Sequence, residues 1–532
     1  MTTTKFVIQK TSFSLALIGV TAFPLFAENF KEKPAKPNIL FIAVDDLKPS
    51  VGAYGDKYAK TPGMDRLAKE GVVFQRSYCQ QAICAASRAS IMLGLRPDKT
   101  RVWDLVTNFR QVNPNAVSMP QYFKSMGYET AALGKIFHIG SAGPGHDAPS
   151  WSIPYEDAKC PTYVLPNSIN QNGGKGKATE CADVPDETYA DGALTKLAIK
   201  SLEKLSKVDK PFFLAVGFHK PHLPFVSPKK YWDLYDRNKI EIAPFQEKAA
   251  DSPDIAYTES GELKSYTDIP QFDNYSEKEL DHLPIDKQKE LIHGYYAATS
   301  YIDAQIMHLL NELDNLDLRK NTIIVLWGDH GWHLGDHGLW NKHTNFENAT
   351  HTLLMMSIPG SKPGIRPATL CEFTDVYPTL CDLINIPTPK YLDGISLVPA
   401  INMPTSEIRE YALSQYPRGN NKMGYSIRTK RFRYTEWFTD NFTTGKPYDN
   451  KLVIARELYD YEKDPYEKAS IIDKPEYQKD QKNLEKLFQE SMTREYNSCV
   501  EYAKIADFKA PIPTGSDTTK RIKFKGKMKS EN

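Results

Sequence analysis

The sequence predicts an α/β protein: a mixed, mostly parallel sheet covered by helices on both faces, followed by a smaller α+β part with an antiparallel sheet. Three observations carry this. Short apolar runs rich in Val, Ile and Phe recur up to residue 327, helical patterns lie between them, and beyond residue 400 closely spaced strands and turns replace that alternation. Continuous apolar runs are what strands buried on both faces require. Their alternation with helices is the mark of a doubly wound sheet.

Four strands are expected, and each stops abruptly at polar residues. NILFIAV (38–44) runs into Asp45 and Asp46, and GYETAAL (127–133) into Gly134, Lys135 and then His138. PFFLAVGF (211–218) runs into His219, Lys220, Pro221 and His222, and TIIVLW (322–327) into Gly328, Asp329 and His330. Helices are expected within 61–74, opening at Thr61-Pro62, and over 189–207 and 295–316. Ligands of open α/β sheets bind beyond the carboxyl ends of the strands, so the four polar clusters should converge on one pocket. Residues 411–438 read as antiparallel strands around an Asn/Gly turn, and 457–472 as a strand, a turn and an acidic loop. The resulting division is a main domain over 34–400, a C-terminal subdomain over 401–510 and a basic tail over 511–532.

At the N-terminus, Lys5 and Lys10 precede an apolar stretch that closes at Ala27, the layout of a secretory signal peptide over 1–27. The stretch is short for a membrane span and no later one approaches that length, so an exported protein is expected. It would be periplasmic or secreted, or held in a lysosome-like compartment in a eukaryote. A formal net charge of +1 argues against a nucleic-acid partner held by bulk charge. The run KRIKFKGKMK (520–529) reads as a solvated tail.

Seven cysteines leave at least one unpaired or chemically used in an oxidising compartment. Cys160 and Cys181 flank a Gly/Asn/Lys-rich loop that a disulfide could staple. Cys84 is the natural odd one out: in AICAASRAS it precedes Arg88 by four residues, where a loop turns into a helix. A thiol so placed is either a small buried hydrophobe or a reactive group.

Asp45, Asp46, Asp329 and His330 offer three carboxylates and an imidazole. Such a set suits a hard cation, Ca²⁺ or Mg²⁺, and the imidazole leaves Mn²⁺ or Zn²⁺ open. Arg88, Lys135, His138, His222 and Lys342 add cationic groups. A pocket holding a metal and several cations suits a tetrahedral oxyanion ester, sulfate or phosphate.

CAASR followed by SIMLGLRP resembles the signature of the type I, formylglycine-dependent sulfatases. GYETAALGKIFH (127–138), WGDHGWHLGDHG (327–338) and the opening AVDDLKPSVGAYGDKYAKTPGMDRLAKEGVVF are similar to further segments of that family. Within it, AVGFHKPHLPF, LWNKHTNFENATH and SQYPRGNNKMGYSIRTKRFRYTEW point to the iduronate-2-sulfatase group, over roughly residues 36–470. The resemblance implies an alkaline-phosphatase-like fold and removal of sulfate from a sulfated saccharide, with 2-O-sulfated uronate as the substrate of that group. It implies that a formylglycine-generating enzyme, or another sulfatase-maturating one, oxidises Cys84 to formylglycine. The hydrated aldehyde would attack sulfur, give a covalent sulfate ester and expel sulfate by elimination.

Carried over by position, Asp45, Asp46, Asp329, His330 and residue 84 would hold Ca²⁺. Arg88 would stabilise the diol, and Lys135 and Lys342 would grip sulfate. His138 would serve as base and His222 as the acid for the departing sugar oxygen, with His219 a neighbour able to compete. Arg101 is a candidate partner for a uronate carboxylate, and the segment 141–185 for the pocket rim. Ala86 stands where the family signature has proline. A phosphate or phosphonate ester hydrolase, and an unmodified homologue that binds sulfated glycans, are the alternatives.

Overall fold

A computed structural model describes residues 36–272, 282–419, 421–439 and 447–508. The signal-peptide stretch and the basic tail lie outside the described residues. In chain order the strands that matter here are β1 (Asn38–Asp45), β2 (Val72–Val73), β3 (Glu129–Gly134), β4 (Phe212–Pro221), β5 (Thr322–Gly328) and β6 (Leu354–Ser357). They form one sheet in the order β2-β6-β5-β1-β4-β3. β5, β1, β4 and β3 run parallel, while β6 pairs antiparallel with β5 and with β2.

β1 is buried along its whole length, and its side chains divide by parity as a strand's must. Ile39, Phe41 and Ala43 join a core with Ala85, Ala89 and Met92 of α2 (Cys84–Leu93). Leu40, Ile42 and Val44 join the opposite core, with Met64 and Leu67 of α1 (Pro62–Glu70), Leu194 and Ala198 of α3 (Ala190–Leu205), and Ile302 and Ile306 of α4 (Ile285–Asn315). Both faces of the sheet are therefore covered, as the continuous apolar runs predict.

α4 starts ten residues before the expected 295. The reason is Gly294, which stands inside the helix without breaking it. A Cβ there would meet Phe225 at 2.9 Å and Trp232 at 3.0 Å, so glycine permits the close approach of helix and neighbouring chain. β7 (Ala412–Arg418), β8 (Lys422–Arg428), β9 (Phe432–Thr439) and β10 (Val453–Asp460) make the expected antiparallel sheet. A 29-residue helix over Gln478–Ala506 has no counterpart in the sequence expectations. It is largely polar, and Leu484, Phe488 and Met492, spaced four apart, bury its one apolar stripe against Tyr434 and Phe438.

One expectation is corrected here. Cys160 and Cys181 are both free, as are the other five cysteines. Cys181 is an exposed residue of the short strand Thr179–Ala182, whereas the Cys160 sulfur lies 3.9 Å from the Glu187 carbonyl. The loop between them is held by other means, including donation from the Val164 and Leu165 amides to the Glu180 carboxylate at 2.9 and 3.0 Å.

Candidate active site

The site begins with register. Val44 of β1 stands opposite Gly328 of β5, so Asp45-Asp46 and Asp329-His330 leave the sheet side by side. Asp46 has a left-handed backbone (φ 58°), which turns the chain sharply just past the strand. Its amide donates to Asp329 Oδ1 at 2.9 Å, and Tyr295 of α4 donates to its carbonyl at 2.7 Å. On the other side of β1, Gly134 pairs with Gly217 and the Lys135 amide donates to the Gly217 carbonyl at 2.8 Å. A Cβ on Gly217 would lie 2.1 Å from the Lys135 carbonyl oxygen. Only glycine allows Lys135 to cross the strand end here.

α2 supplies the remaining centre. Cys84 is its first residue and Arg88 lies one turn on, with all ten helix residues buried. Ala85, Ala86 and Ala89 keep the helix slim enough for such burial. Ala86, in place of the signature proline, is fully enclosed in the first turn. The Arg88 guanidinium has no exposure and therefore has to be paired. Its Nε donates to Asp329 Oδ2 at 2.8 Å, its Nη2 to Asp45 Oδ1 at 3.0 Å and its Nη1 to the Ile136 carbonyl at 3.1 Å. The charge stays on Arg88 because Asp329 and Asp45 outweigh the burial that opposes it.

Around Cys84 Sγ stand His330 Nε2 at 3.3 Å and Asp46 Oδ1 at 3.8 Å. Lys342 Nζ spans the two Asp46 oxygens at 3.0 and 2.9 Å, and Lys135 Nζ is bonded to Asp45 Oδ2. Burial opposes ionisation of Asp45, yet Lys135 and Arg88 hold its carboxyl well below the ordinary value. For Asp46 the balance is reversed. Burial, joined by the carboxylates of Asp45, Glu262 and Asp329, pushes it well above the ordinary value in spite of Lys342.

These observations test whether a divalent cation fits. Ligand atoms of Asp46, Cys84, Asp329 and His330 lie within 4.8 Å of one another, and those of Asp45, Asp46, Cys84 and His222 do the same. Asp46 bears burial and three neighbouring carboxylates against one ammonium, and a dication would favour its ionised form. His330 Nδ1 lies 3.0 Å from the Gly331 carbonyl. That contact places the proton on Nδ1 and leaves the Nε2 lone pair facing Cys84 and Asp46, the tautomer a metal ligand needs. Three carboxylates and one imidazole fit a hard, oxygen-preferring cation.

The opposite wall carries the histidines. His222 Nε2 lies 3.8 Å from Asp46 Oδ2 and 3.2 Å from Glu262 Oε1, and Nδ1 lies 2.6 Å from the Leu223 carbonyl. His219 turns the other way, with Nδ1 3.3 Å from Asp191 and Nε2 3.8 Å from Asp157. Geometry therefore separates the two histidines and puts His222 at the cluster. His138 caps the short helix Ile139–Ala142, its Nδ1 accepting from the Gly140 amide at 3.2 Å. Burial, reinforced by Lys135, lowers its pKa to about 3.

Among the described residues no hydrogen bond or ion pair ties His138 to the cluster, and none ties Arg101 to it. The Arg101 guanidinium lies 4.1 Å from the Phe508 ring centre, with Asp98 as its neighbouring acid. Two residues to which the sequence assigned no role stand here as well, Glu262 and Lys220. Glu262, in the short helix Gly261–Lys264, bridges His222 and Lys342, reaching Lys342 Nζ at 3.2 Å. Lys220 borders a cavity of about 410 Å³ that it shares with Asp45, Lys135 and His222. The rim of that cavity includes Asp157, Cys160 and Thr162, within the segment expected to shape it.

The family profile described as "Sulfatase" matches residues 37–386, and the profile "N-sulphoglucosamine sulphohydrolase, C-terminal" matches residues 335–494. The chain is 35% identical over 508 residues to iduronate 2-sulfatase of Mus musculus, an alignment covering 82% of this chain and 90% of that one. A protein solved in complex with its substrate D-glucosamine-2-N,6-O-disulfate superposes with a TM-score of 0.68 at 22% identity, covering 87% of this chain and 98% of the other. A phosphonate monoester hydrolase of Silicibacter pomeroyi gives 0.67 at 19% identity, with coverages of 86% and 96%. Those two show the fold alone. The profile match and the iduronate 2-sulfatase identity place this chain in the sulfatase family.

Proposed function

We propose that this sulfatase removes the 2-O-sulfate of a uronate unit in a sulfated glycan, using a formylglycine made from Cys84 and one Ca²⁺. The single observation that carries the reading is the position of Cys84 Sγ, 3.3 Å from His330 Nε2 and 3.8 Å from Asp46 Oδ1. A cysteine serving only as packing has no need of a metal-type cluster around it.

Asp45, Asp46, Asp329 and His330 would hold the cation beside residue 84. When bound, it supplies Lewis-acid polarisation of a sulfate oxygen and favours the ionised nucleophile, which the hydrated aldehyde of formylglycine provides. The side chains present do the rest. Arg88, locked between Asp45 and Asp329, holds the floor of the site rigid. Lys135 and Lys342 stand where charge on the sulfate oxygens would build up, and fixed cations in a dry site stabilise such charge strongly. His138 is held neutral by burial, with Nδ1 accepting from the Gly140 amide and the proton therefore on Nε2; to serve as the base it would have to release that amide first. His222 faces the cluster as the acid for the sugar oxygen, the poorer leaving group of the two. Burial and Lys342 lower its pKa well below the ordinary value against the opposing pull of Glu262, so the proton it delivers has to be taken up at Nε2, beside Glu262. Glu262 fixes both His222 and Lys342 from behind.

The uronate assignment rests on the iduronate 2-sulfatase relative, together with the motifs shared along the chain. The test is sulfate release from defined disaccharides sulfated at single positions. The reading predicts fastest release from the uronate 2-O-sulfate, and equal or faster release from a 6-O-sulfated hexosamine would overturn it. Turnover of an aryl phosphate exceeding that of the matched aryl sulfate would overturn the reaction class itself.

A further inference from the structure

Lys220 differs from the other cations of this site. Arg88, Lys135 and Lys342 are each ion-paired with a carboxylate. The Lys220 ammonium instead donates to two backbone carbonyls, of His222 at 2.6 Å and of Pro224 at 2.9 Å. Among the described residues no carboxylate oxygen forms an ion pair with it. Its nearest acid, Asp191, is already engaged: its oxygens accept the amides of His219 at 2.7 Å and of Lys220 at 3.0 Å, and Oδ1 also faces His219 Nδ1. An ammonium has three N–H groups, so one is left over.

Lys220 also lines the cavity of about 410 Å³, whose walls include Asp45, Lys135 and His222. The volume lies within the range of small-molecule pockets. One cavity thus joins Lys220, whose ammonium has no ion-paired carboxylate among the described residues, to Asp45, Lys135 and His222. Burial lowers the Lys220 pKa to about 8, with Asp191, Asp45 and Asp46 opposing it only in part, and an anionic group of the substrate would favour the charged form on binding.

We propose that Lys220 is the core of a second anion subsite. It takes an oxyanion substituent, a carboxylate or a further sulfate, on the same sugar whose ester is cut, while His219 and Asp157 exchange hydrogen bonds with its hydroxyls. This deepens the saccharide reading above and rests on it for the identity of the ring. The site needs no new chemistry, only a charge-assisted hydrogen bond at the free N–H.

The test is calorimetric binding of three monosaccharide probes to the full-length, Ca²⁺-loaded protein: a methyl uronoside, its carboxyl-reduced hexoside, and that hexoside bearing a sulfonate at carbon six. The parent should bind an anionic probe about tenfold or more tightly than the neutral one. Lys220→Met should bring that ratio close to one, and Lys220→Arg should retain most of it. The ratio is read within each variant, so a partial loss of folded protein cancels. Preference for the uronoside assigns a carboxylate, and preference for the sulfonate assigns a further sulfate. A parent that does not discriminate, or a Lys220→Met protein that keeps the parent's ratio, overturns the subsite. Failure of the parent to desulfate any uronate disaccharide would overturn the substrate reading separately, because the probe ratio needs no turnover.

Discussion

Lys342 and Asp46 meet in a two-point contact, Nζ standing 3.0 and 2.9 Å from the two carboxylate oxygens although 296 residues separate them. One ammonium does not settle this carboxyl, because burial and the acids around it still push its pKa well above the ordinary value. Where Asp46 holds a proton, cation binding displaces it. Calorimetry in two buffers of different ionisation enthalpy should show proton release on Ca²⁺ binding, with affinity rising as pH rises. Added Ca²⁺ should raise Tm in the parent and do so far less in Asp46→Asn. Binding that is independent of both pH and buffer would contradict this.

Arg88 is a structural test of the same cluster. Replacing it with Met leaves Asp45 and Asp329 buried without their shared partner, the costly half of a broken buried pair. A loss of about 3–5 kcal/mol in urea unfolding is expected. Arg88→Lys should recover only part of it, since an ammonium cannot reproduce a guanidinium that donates to both acids at once. Full recovery by lysine would show that the fork geometry is unimportant.

His138 supplies a kinetic prediction with a sign. With its pKa lowered to about 3 by burial and Lys135, the imidazole is neutral across the range from pH 5 to 8. His138→Ala should lower kcat by roughly 10²–10⁴, with less effect on KM. The factor should be the same at both ends of that range, because His138 does not change charge within it. A loss that shrinks on acidification, with a midpoint near that of an ordinary histidine, would contradict a neutral base.

Away from the site, Glu457 of β10 is buried, accepts from Trp437 Nε1 at 2.8 Å and from the Tyr459 hydroxyl at 2.8 Å, and has its pKa raised to about 7 by burial. A carboxyl whose pKa is raised by folding favours the folded state when protonated. Its contribution is full below the ordinary glutamate value and is lost as pH climbs to about 7. Glu457→Gln does not titrate. Its stability relative to the parent should therefore increase between pH 4.5 and 7 by up to about 3 kcal/mol and then level off. A difference that is flat with pH, read from urea unfolding, would contradict the shifted carboxyl.

The parts of this site that could be read in the sequence are those tied to strand ends. Asp45-Asp46, Lys135, His222 and Asp329-His330 each follow an apolar run, and the parallel registers of β1 with β4 and β5 and of β3 with β4 bring them together. Glu262 could not be read that way. It sits in SGELK, a polar segment like many surface loops, and only tertiary packing turns it toward Lys342. Lys220 was visible within HKPH, but its lack of an acidic partner depends on where Asp191 spends its oxygens. Arg101 was chosen by residue type, which carries no information on direction, and it packs on Phe508 instead.

The most direct test of the account is the mass of the tryptic peptide Ser77–Arg88 from enzyme that is releasing sulfate. The account predicts the mass of an aldehyde, or its hydrate, at residue 84, with Cys79 unchanged. A peptide carrying two intact thiols in fully active enzyme would contradict it.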